Sequence, residues 1–337
     1  GFLFGMANAA VALWTLWHYR AEVPGARGRF TRGVLAMAFL AIGLAASEHL
    51  TRWAERGLFG DEVIYATTTP YQRIVVTRWK DDTRLHINGN LQFSSRDEHR
   101  YHEALVHPAL ATMPWARRVL VLGGGDGLAV REILRYPHIE HITLVDLDPA
   151  MTDLFTRNAY LAELNGGALS DPRVTVINAD AGQWLDENAG VFDLIVADFP
   201  DPSNFGLGKL YSVPIYRLMA KHLSANGALV VQSTSPWFAP KSFWCIDATL
   251  REAGFVTQPY HAYVPSFGEW GFNLATRRPG FVPPESYPVP TRFLDADTTR
   301  AMFRFPPDMR PPAVEPNHLN SQTLVHYFEQ DWRNVVR

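Results

Sequence analysis

Residues 119–127 read Val119-Leu120-Val121-Leu122-Gly123-Gly124-Gly125-Asp126-Gly127. A short apolar run closed by clustered glycines is the pattern of a buried parallel strand turning into a helix beneath a nucleotide-like ligand. Backbone amides at such a turn ordinarily attract an anion. Here Asp126 plants a carboxylate in the turn itself, which repels a pyrophosphate or carboxylate and attracts an ammonium. The stretch therefore predicts an adenosyl ligand with a cationic tail. It departs from the dinucleotide fingerprint, which needs glycine at the first, third and sixth positions. Gly123 and Gly125 satisfy the first two, but Leu128 stands at the third. The phosphate-cradling Gly-Lys-Ser/Thr loop is absent.

Working outward, apolar runs alternate with helical periods. Predicted strands are 119–122, 142–145, 174–178, 194–197 and 228–232; predicted helices include 128–136, 151–162 and 215–223. This alternation predicts an α/β fold, a doubly wound Rossmann-like sheet of the methyltransferase type, with ligands at the carboxyl ends of its strands. A later pair, 255–263 and 271–276, reads as an antiparallel edge hairpin. Upstream, 71–77 and 84–87 are β-rich, with Asn88-Gly89 as a hairpin turn. Together they predict a small antiparallel sheet over 62–95, followed by a helix over 97–110.

Acids recur where these strands end. Asp146 falls about 20 residues past the glycine turn, where an acidic side chain meets ribose hydroxyls in such folds. Asp180 either accepts from an adenine amino group or caps the next helix; both readings stay open. Asp198 and Asp201 leave the fourth strand three residues apart, with Pro200 and Pro202 stiffening the loop. Two such carboxylates can bind a diamine and accept its proton. An ordinary Asp-Pro turn would explain them alone; following Asp126, Asp146 and Asp180 on consecutive strand ends, they read as functional.

The chain has 337 residues, 47% of them hydrophobic, and a formal charge of -3. That length accommodates two domains or more, and the charge offers no basis for nucleic-acid binding. Cys245 is the sole cysteine, so an intrachain disulfide and a thiolate metal cluster are both ruled out. The twelve histidines show no metal-ligand spacing, and no metal is expected. Residues 2–17 and 33–47 are uncharged or nearly so, each a little short of a spanning helix, with Trp14, Trp17 and Trp53 placed as interfacial aromatics would be. They read as a membrane helical segment, the start at Gly1 being the truncated end of a longer one; a buried helical hairpin is the alternative. The expected organisation is a membrane segment over 1–50, a small β domain with a connecting helix over 51–110, a Rossmann-like domain over 111–278, and a proline-rich tail with a terminal helix over 279–337.

Several separated motifs, in order, resemble the spermidine synthase family of polyamine aminopropyltransferases: Tyr71-Gln72, Asn88-Gly89-Asn90-Leu91-Gln92, Asp97-Glu98, Tyr101-His102-Glu103, the 123–127 turn, and Asp198 through Pro202. The match covers about 65–276. The apolar start and the stretch 265–272 resemble the long, membrane-attached bacterial branch. The resemblance implies transfer of the aminopropyl group of decarboxylated S-adenosylmethionine to putrescine, giving spermidine and methylthioadenosine, with the donor as co-substrate and no cofactor besides. It implies Asp198 as the catalytic acceptor of the amine proton and Asp201 as a holder of the diamine. Asp126 would hold the aminopropyl ammonium, with Gly123, Gly125, Asp146 and Asp180 around the adenosyl group. Gln72, Gln92, Tyr101 and His102 would line the site. It also implies a homo-oligomer at the bacterial inner membrane with its catalytic domain in the cytoplasm.

Three departures bear on the acceptor. Phe199 and Pro200 replace small polar residues between the acids, which predicts a narrowed loop. Ser203-Asn204 replaces Gly-Pro, and Phe267 aligns with a tyrosine that contacts the amine. A different diamine or polyamine therefore stays open, as does a membrane polyamine sensor or transport subunit that binds without turnover. A methyltransferase on the same fold is disfavoured by Asp126. Arg20, Arg27, Arg29 and Arg32, against Glu22, would place the loop between the apolar stretches in the cytoplasm. A second crossing would then carry the catalytic domain away from its donor; donor supply is weighted above the arginine count.

Overall fold

A computed structural model describes residues 2–335; Gly1, residues 336–337 and the side chains at 48–56 (Trp53 among them), 58 and 334–335 lie outside the described residues. The chain divides into two compact units, one running to Ile64 with Thr77–Trp79, the other comprising Tyr65–Val76 and Lys80 onward.

The first unit is built on two helices, α1 (Phe2–His18) and α2 (Ala26–Phe59). Their antiparallel contact is set by glycines. A Cβ on Gly33 would lie 2.7 Å from the Leu13 side chain, and one on Gly43 would lie 2.5 Å from the Phe2 ring. Small residues let two apolar helices approach closely, as they do where lipid rather than water surrounds them. Flanking residues extend the second apolar stretch to a 22-residue segment, Ala26–Ser47, long and apolar enough to cross a membrane, with none of its apolar window buried. The same helix continues past Leu50 to Phe59.

Four strands follow: β1 (Glu62–Thr68), β2 (Arg73–Trp79), β3 (Asp82–Ile87) and β4 (Asn90–Ser94), ordered β1-β2-β3-β4. Asn88 (φ 52°) and Gly89 (φ 85°) both adopt left-handed backbone between β3 and β4, which is what a two-residue hairpin turn requires. Next comes α3 (Glu98–Leu110).

The main sheet is laid down by β5 (Arg118–Gly123), α4 (Leu128–Leu134), β6 (His141–Asp146), α5 (Pro149–Arg157), α6 (Ala159–Leu164), β7 (Val174–Asn178), α7 (Ala181–Glu187), β8 (Phe192–Asp198), α8 (Phe205–Gly208), α9 (Val213–Lys221), β9 (Leu223–Gln232), α10 (Pro240–Glu252), β10 (Val256–Val264) and β11 (Gly268–Thr276). The expected helix over 151–162 is two helices, because Asn158 closes α5 and caps α6 with its own side chain. The sheet order is β10-β11-β9-β8-β5-β6-β7. Strands β5 to β9 are parallel, and β11 and β10 add antiparallel at one edge. Alternate residues serve two cores: Val119, Val121, Leu194 and Val196 face one, and Leu120, Leu122, Ile195 and Ala197 the other. Burial on both faces is why these strands read as continuous apolar runs.

The tail is more ordered than its prolines suggested, with α11 (Ala296–Met302) and the terminal α12 (Thr323–Val335). It is fastened by Glu103, a buried carboxylate of α3 that accepts from the backbone amides of Arg292, Phe293 and Leu294 at 2.8–3.2 Å.

Candidate active site

The sheet changes winding direction at β5, which has β6 on one side and β8 on the other. At this switch point the carboxyl ends of adjacent strands diverge and leave a crevice. Gly123 is the register partner of Asp198, and Asp146 is the partner of Asn178, two residues before Asp180. The topology thus brings the predicted acids to one edge.

The glycines permit this closeness. Gly123 and Gly124 have φ of 79° and 68°, and a Cβ on Gly123 would overlap the Asp198 carbonyl. A Cβ on Gly125 would lie 2.7 Å from the Asp146 carboxylate, which instead accepts from the Gly125 amide at 3.0 Å. The other Asp146 oxygen accepts from the Asp148 amide at 2.9 Å. Asp126 accepts from the Leu128 amide at 2.9 Å, while the Asn165 side chain secures its backbone carbonyl.

Asp198 accepts from the Tyr101 hydroxyl at 2.5 Å. Asp201 has looser neighbours, Gln232 Nε2 at 3.5 Å and Thr234 Oγ1 at 3.4 Å. Burial pushes Asp126 up to about 6; His102 opposes the shift and Asp198 adds to it. Burial likewise pushes Asp146 to about 6 and Asp201 to about 7, and raises Asp198 against the pull of His102 and Tyr101. A crevice of half-buried carboxylates holding on to their protons is one that a bound cation would stabilise.

The remaining predicted residues fall into place unevenly. Tyr101 and His102 are buried side by side on α3, their ring centroids 5.0 Å apart. Gln72 is half-buried in a turn tied to the end of β6, because Thr69 Oγ1 donates to Asp148 at 2.8 Å. The Gln92 amide donates to the carbonyls of Asn90 and Leu91, and among the described residues no hydrogen bond joins it to the acids. Asp180 is a helix cap: one oxygen accepts from the amides of Gly182 and Gln183, and the other pairs with Lys209 at 2.7 Å.

Phe199 corrects an expectation. Its ring does not narrow the loop between the acids but is 5% exposed in the same core as Ala197, packed edge-on to Tyr211. Strand alternation carried one step past β8 directs it there. Phe267 does reach the site, its ring edge-on to Tyr101 at 6.2 Å. The loop that bears it is held by Asp97, which accepts from the amide and hydroxyl of Ser266. Phe243 and Trp244 are core, whereas Trp237 is exposed.

Three participants escaped the sequence reading. Gln232 ends β9 and donates to the Phe199 carbonyl at 2.6 Å; the strand-end rule that found the acids would have found it. Tyr211 donates to the carbonyls of Phe199 and Pro200 and so shapes the loop from beneath. Thr234 has φ of 56°, a left-handed conformation costly for a β-branched residue, held by the Gln232 side chain and by Gly271. No sequence pattern signals either of the last two.

Comparison with known proteins agrees with this geometry. Residues 98–281 match the family model for the spermine/spermidine synthase domain. Over all of its length the chain is 65% identical to polyamine aminopropyltransferase 2 of Ralstonia nicotianae, and 47% identical to the polyamine aminopropyltransferase of Leptospira interrogans, spanning 67% of each. A spermidine synthase crystallised with the transition-state analogue AdoDATO superposes with a TM-score of 0.68 at 23% identity, over 73% of this chain and 86% of that one. The spermidine synthase of Thermotoga maritima gives 0.65 at 22%, over 73% of this chain and 85% of that one. By the family model over more than half of its length and by these relatives, the chain belongs to the spermine/spermidine synthase family of polyamine aminopropyltransferases, for which decarboxylated S-adenosylmethionine is the co-substrate.

Proposed function

We propose that the acceptor is putrescine and the products are spermidine and methylthioadenosine. The observation that carries this reading is the set of half-buried acids at one sheet edge, Asp126, Asp146, Asp198 and Asp201, each with its carboxyl pKa raised. Both substrates are dications, and such a crevice favours each of them over an anionic competitor.

The family resemblance, together with the acids at one sheet edge, supports the following roles. Asp126 holds the aminopropyl ammonium and would face the carboxylate of ordinary S-adenosylmethionine at close range, which excludes that donor. Asp146 accepts from the ribose hydroxyls. Asp180, with Lys209 beside it, borders the adenine. Gln72, Gln92, Tyr101 and His102 line the crevice, and Asp201 holds the diamine.

The nucleophile attacks the carbon next to the sulfonium. The C–N bond forms, the C–S bond breaks, and its electron pair stays on sulfur as a neutral thioether, so no general acid is needed. The attacking amine must be uncharged, yet a free alkylammonium has a pKa near that of lysine, about 10. Burial lowers the amine while it raises Asp198, and the two converge. Asp198 can then take the proton as the bond forms. Orientation of the two substrates supplies much of the rate.

The outward apolar faces of α1 and α2, with Phe4, Trp14, Leu35 and Phe39 all exposed, favour a membrane-attached protein whose catalytic domain lies in the cytoplasm. The test of function is product analysis with decarboxylated S-adenosylmethionine and a panel of diamines and polyamines. Putrescine should give methylthioadenosine with the highest kcat/KM. A better acceptor elsewhere in the panel would replace it, and effective competition by the carboxyl-bearing donor would end the reading.

A further inference from the structure

Glu98 and Arg131 lie one layer behind the crevice, and the transfer step gives them no part. The Glu98 carboxylate is buried and meets the Arg131 guanidinium through two hydrogen bonds of 2.9 and 3.0 Å. One of its oxygens also lies 2.8 Å from His102 Nδ1, and the Glu98 backbone carbonyl lies 2.9 Å from the same nitrogen. Both partners of Nδ1 are acceptors, so this nitrogen carries the proton whatever the charge of the ring. The exchangeable position of His102 is therefore Nε2, on the opposite edge of the ring.

The charged groups acting on that ring are Glu98 from its own helix, Asp126 from the glycine turn and Asp198 from the end of β8. Arg131, on α4, reaches it through Glu98, and the neighbouring Tyr101 is bonded to Asp198. Burial alone would strip the ring of its charge, yet these acids raise its pKa above the ordinary histidine value, while His102 and Arg131 hold Glu98 below the usual carboxylate range.

Stoichiometry gives the arrangement a use. Two dications enter, a trication and a neutral thioether leave, and one proton is released. A proton retained on Asp198 would block the next turnover. Resting on the proposed function above, we propose that Glu98, gripped by Arg131, is a positioning residue that locks His102 with Nδ1–H toward itself, so that Nε2 faces the crevice and takes the amine proton on from Asp198. The proton leaves Asp198 as the Nε2–H bond forms, and the charge of the resulting imidazolium is balanced by Glu98. This is the division of labour by which a buried carboxylate fixes the tautomer of a histidine base.

The experiment pairs Glu98→Gln with ¹⁵N-histidine NMR and a kcat–pH profile. In the parent protein His102 should titrate above the reference value of about 6.5, with only Nε2 changing protonation. In Glu98→Gln the midpoint should drop by about one unit. The rising limb of kcat should move to lower pH with it, and the plateau should fall about tenfold, while donor KM stays within about threefold. Should Glu98→Gln not fold, Arg131→Lys keeps the charge, loses the two-point grip and should move the midpoint the same way by less. A folded variant whose His102 midpoint and kcat limb both stay in place overturns the proposal, as does a limb that stays while the midpoint moves. The NMR arm needs no turnover, so a parent protein that fails to transfer aminopropyl groups would count against the proposed function while the Glu98–His102 coupling is still judged separately.

Discussion

The two halves of the crevice are built in opposite ways. On the side assigned to the donor, Asp126 and Asp146 are held by main-chain amides, and two of those three amides belong to residues two positions further along the chain. On the side assigned to the acceptor, Asp198 is held by a phenol 97 residues away, and among the described residues the Asp201 carboxylate has long contacts to side chains 31 and 33 residues away. Main-chain amides are fixed once the turn forms, so the donor side is preorganised by local backbone. The acceptor side depends on side chains delivered by α3 and β9, and it can change without disturbing the fold. Of the departures from the family pattern, Phe267 falls on this second side against Tyr101, while Phe199 packs into the core. Under the proposed roles, the donor side is set by local backbone and the acceptor side is the part that side chains can adjust.

The largest effect that would test this contrast is on chemistry. Asp198→Asn should lower kcat by about 10²–10⁴-fold, the range of a lost general base, while calorimetric affinity for the decarboxylated donor stays within about threefold. Near-normal turnover would move the proton acceptor elsewhere. Next in size, Asp126→Asn should weaken donor binding by about 2–5 kcal/mol, the cost of removing one partner of a buried charge pair. It should also shrink the discrimination against ordinary S-adenosylmethionine. Unchanged discrimination would show that the carboxylate is excluded by shape instead of charge.

The smallest effect is on stability, with a sign opposite to that of most active-site substitutions. Asp201 binds its proton more tightly folded than unfolded, since burial lifts it from 3.8 to about 7. The folded protein therefore loses stability as pH rises through that window, and the loss is absent below it. Asp201→Asn should make the ligand-free protein more stable at pH 8, by at most about 4 kcal/mol for a shift of this size, with no gain near pH 4. A variant with lower Tm at pH 8 would mean that Asp201 is held by contacts stronger than its long hydrogen bonds indicate.

Particular residues show where sequence reasoning reached. The parallel strands were legible because burial on both faces leaves only apolar letters, and the hairpin at Asn88-Gly89 because few residues tolerate left-handed backbone. Asp180 caps α7, a role its sequence position allows, while a contact to adenine depends on a ligand atom that no protein sequence encodes. Phe199 was placed by its neighbours in sequence, next to the acids, when the period of the strand sends it into the core.

The sequence by itself determined the fold class, the strand that ends in the glycine turn, the acids on successive strand ends and the family to which they belong. These are local properties: side-chain period, backbone tolerance at glycine, and charge at a fixed offset from a strand. Tertiary structure alone decided that Tyr101 meets Asp198, that Gln232 and Tyr211 hold the loop of Asp201, that Arg131 grips Glu98, and that Glu103 fastens the tail. Each of these pairs joins strand ends, helices and a loop that only the winding of the sheet brings together. A hydrogen bond across such a distance leaves no periodic trace in the chain that makes it.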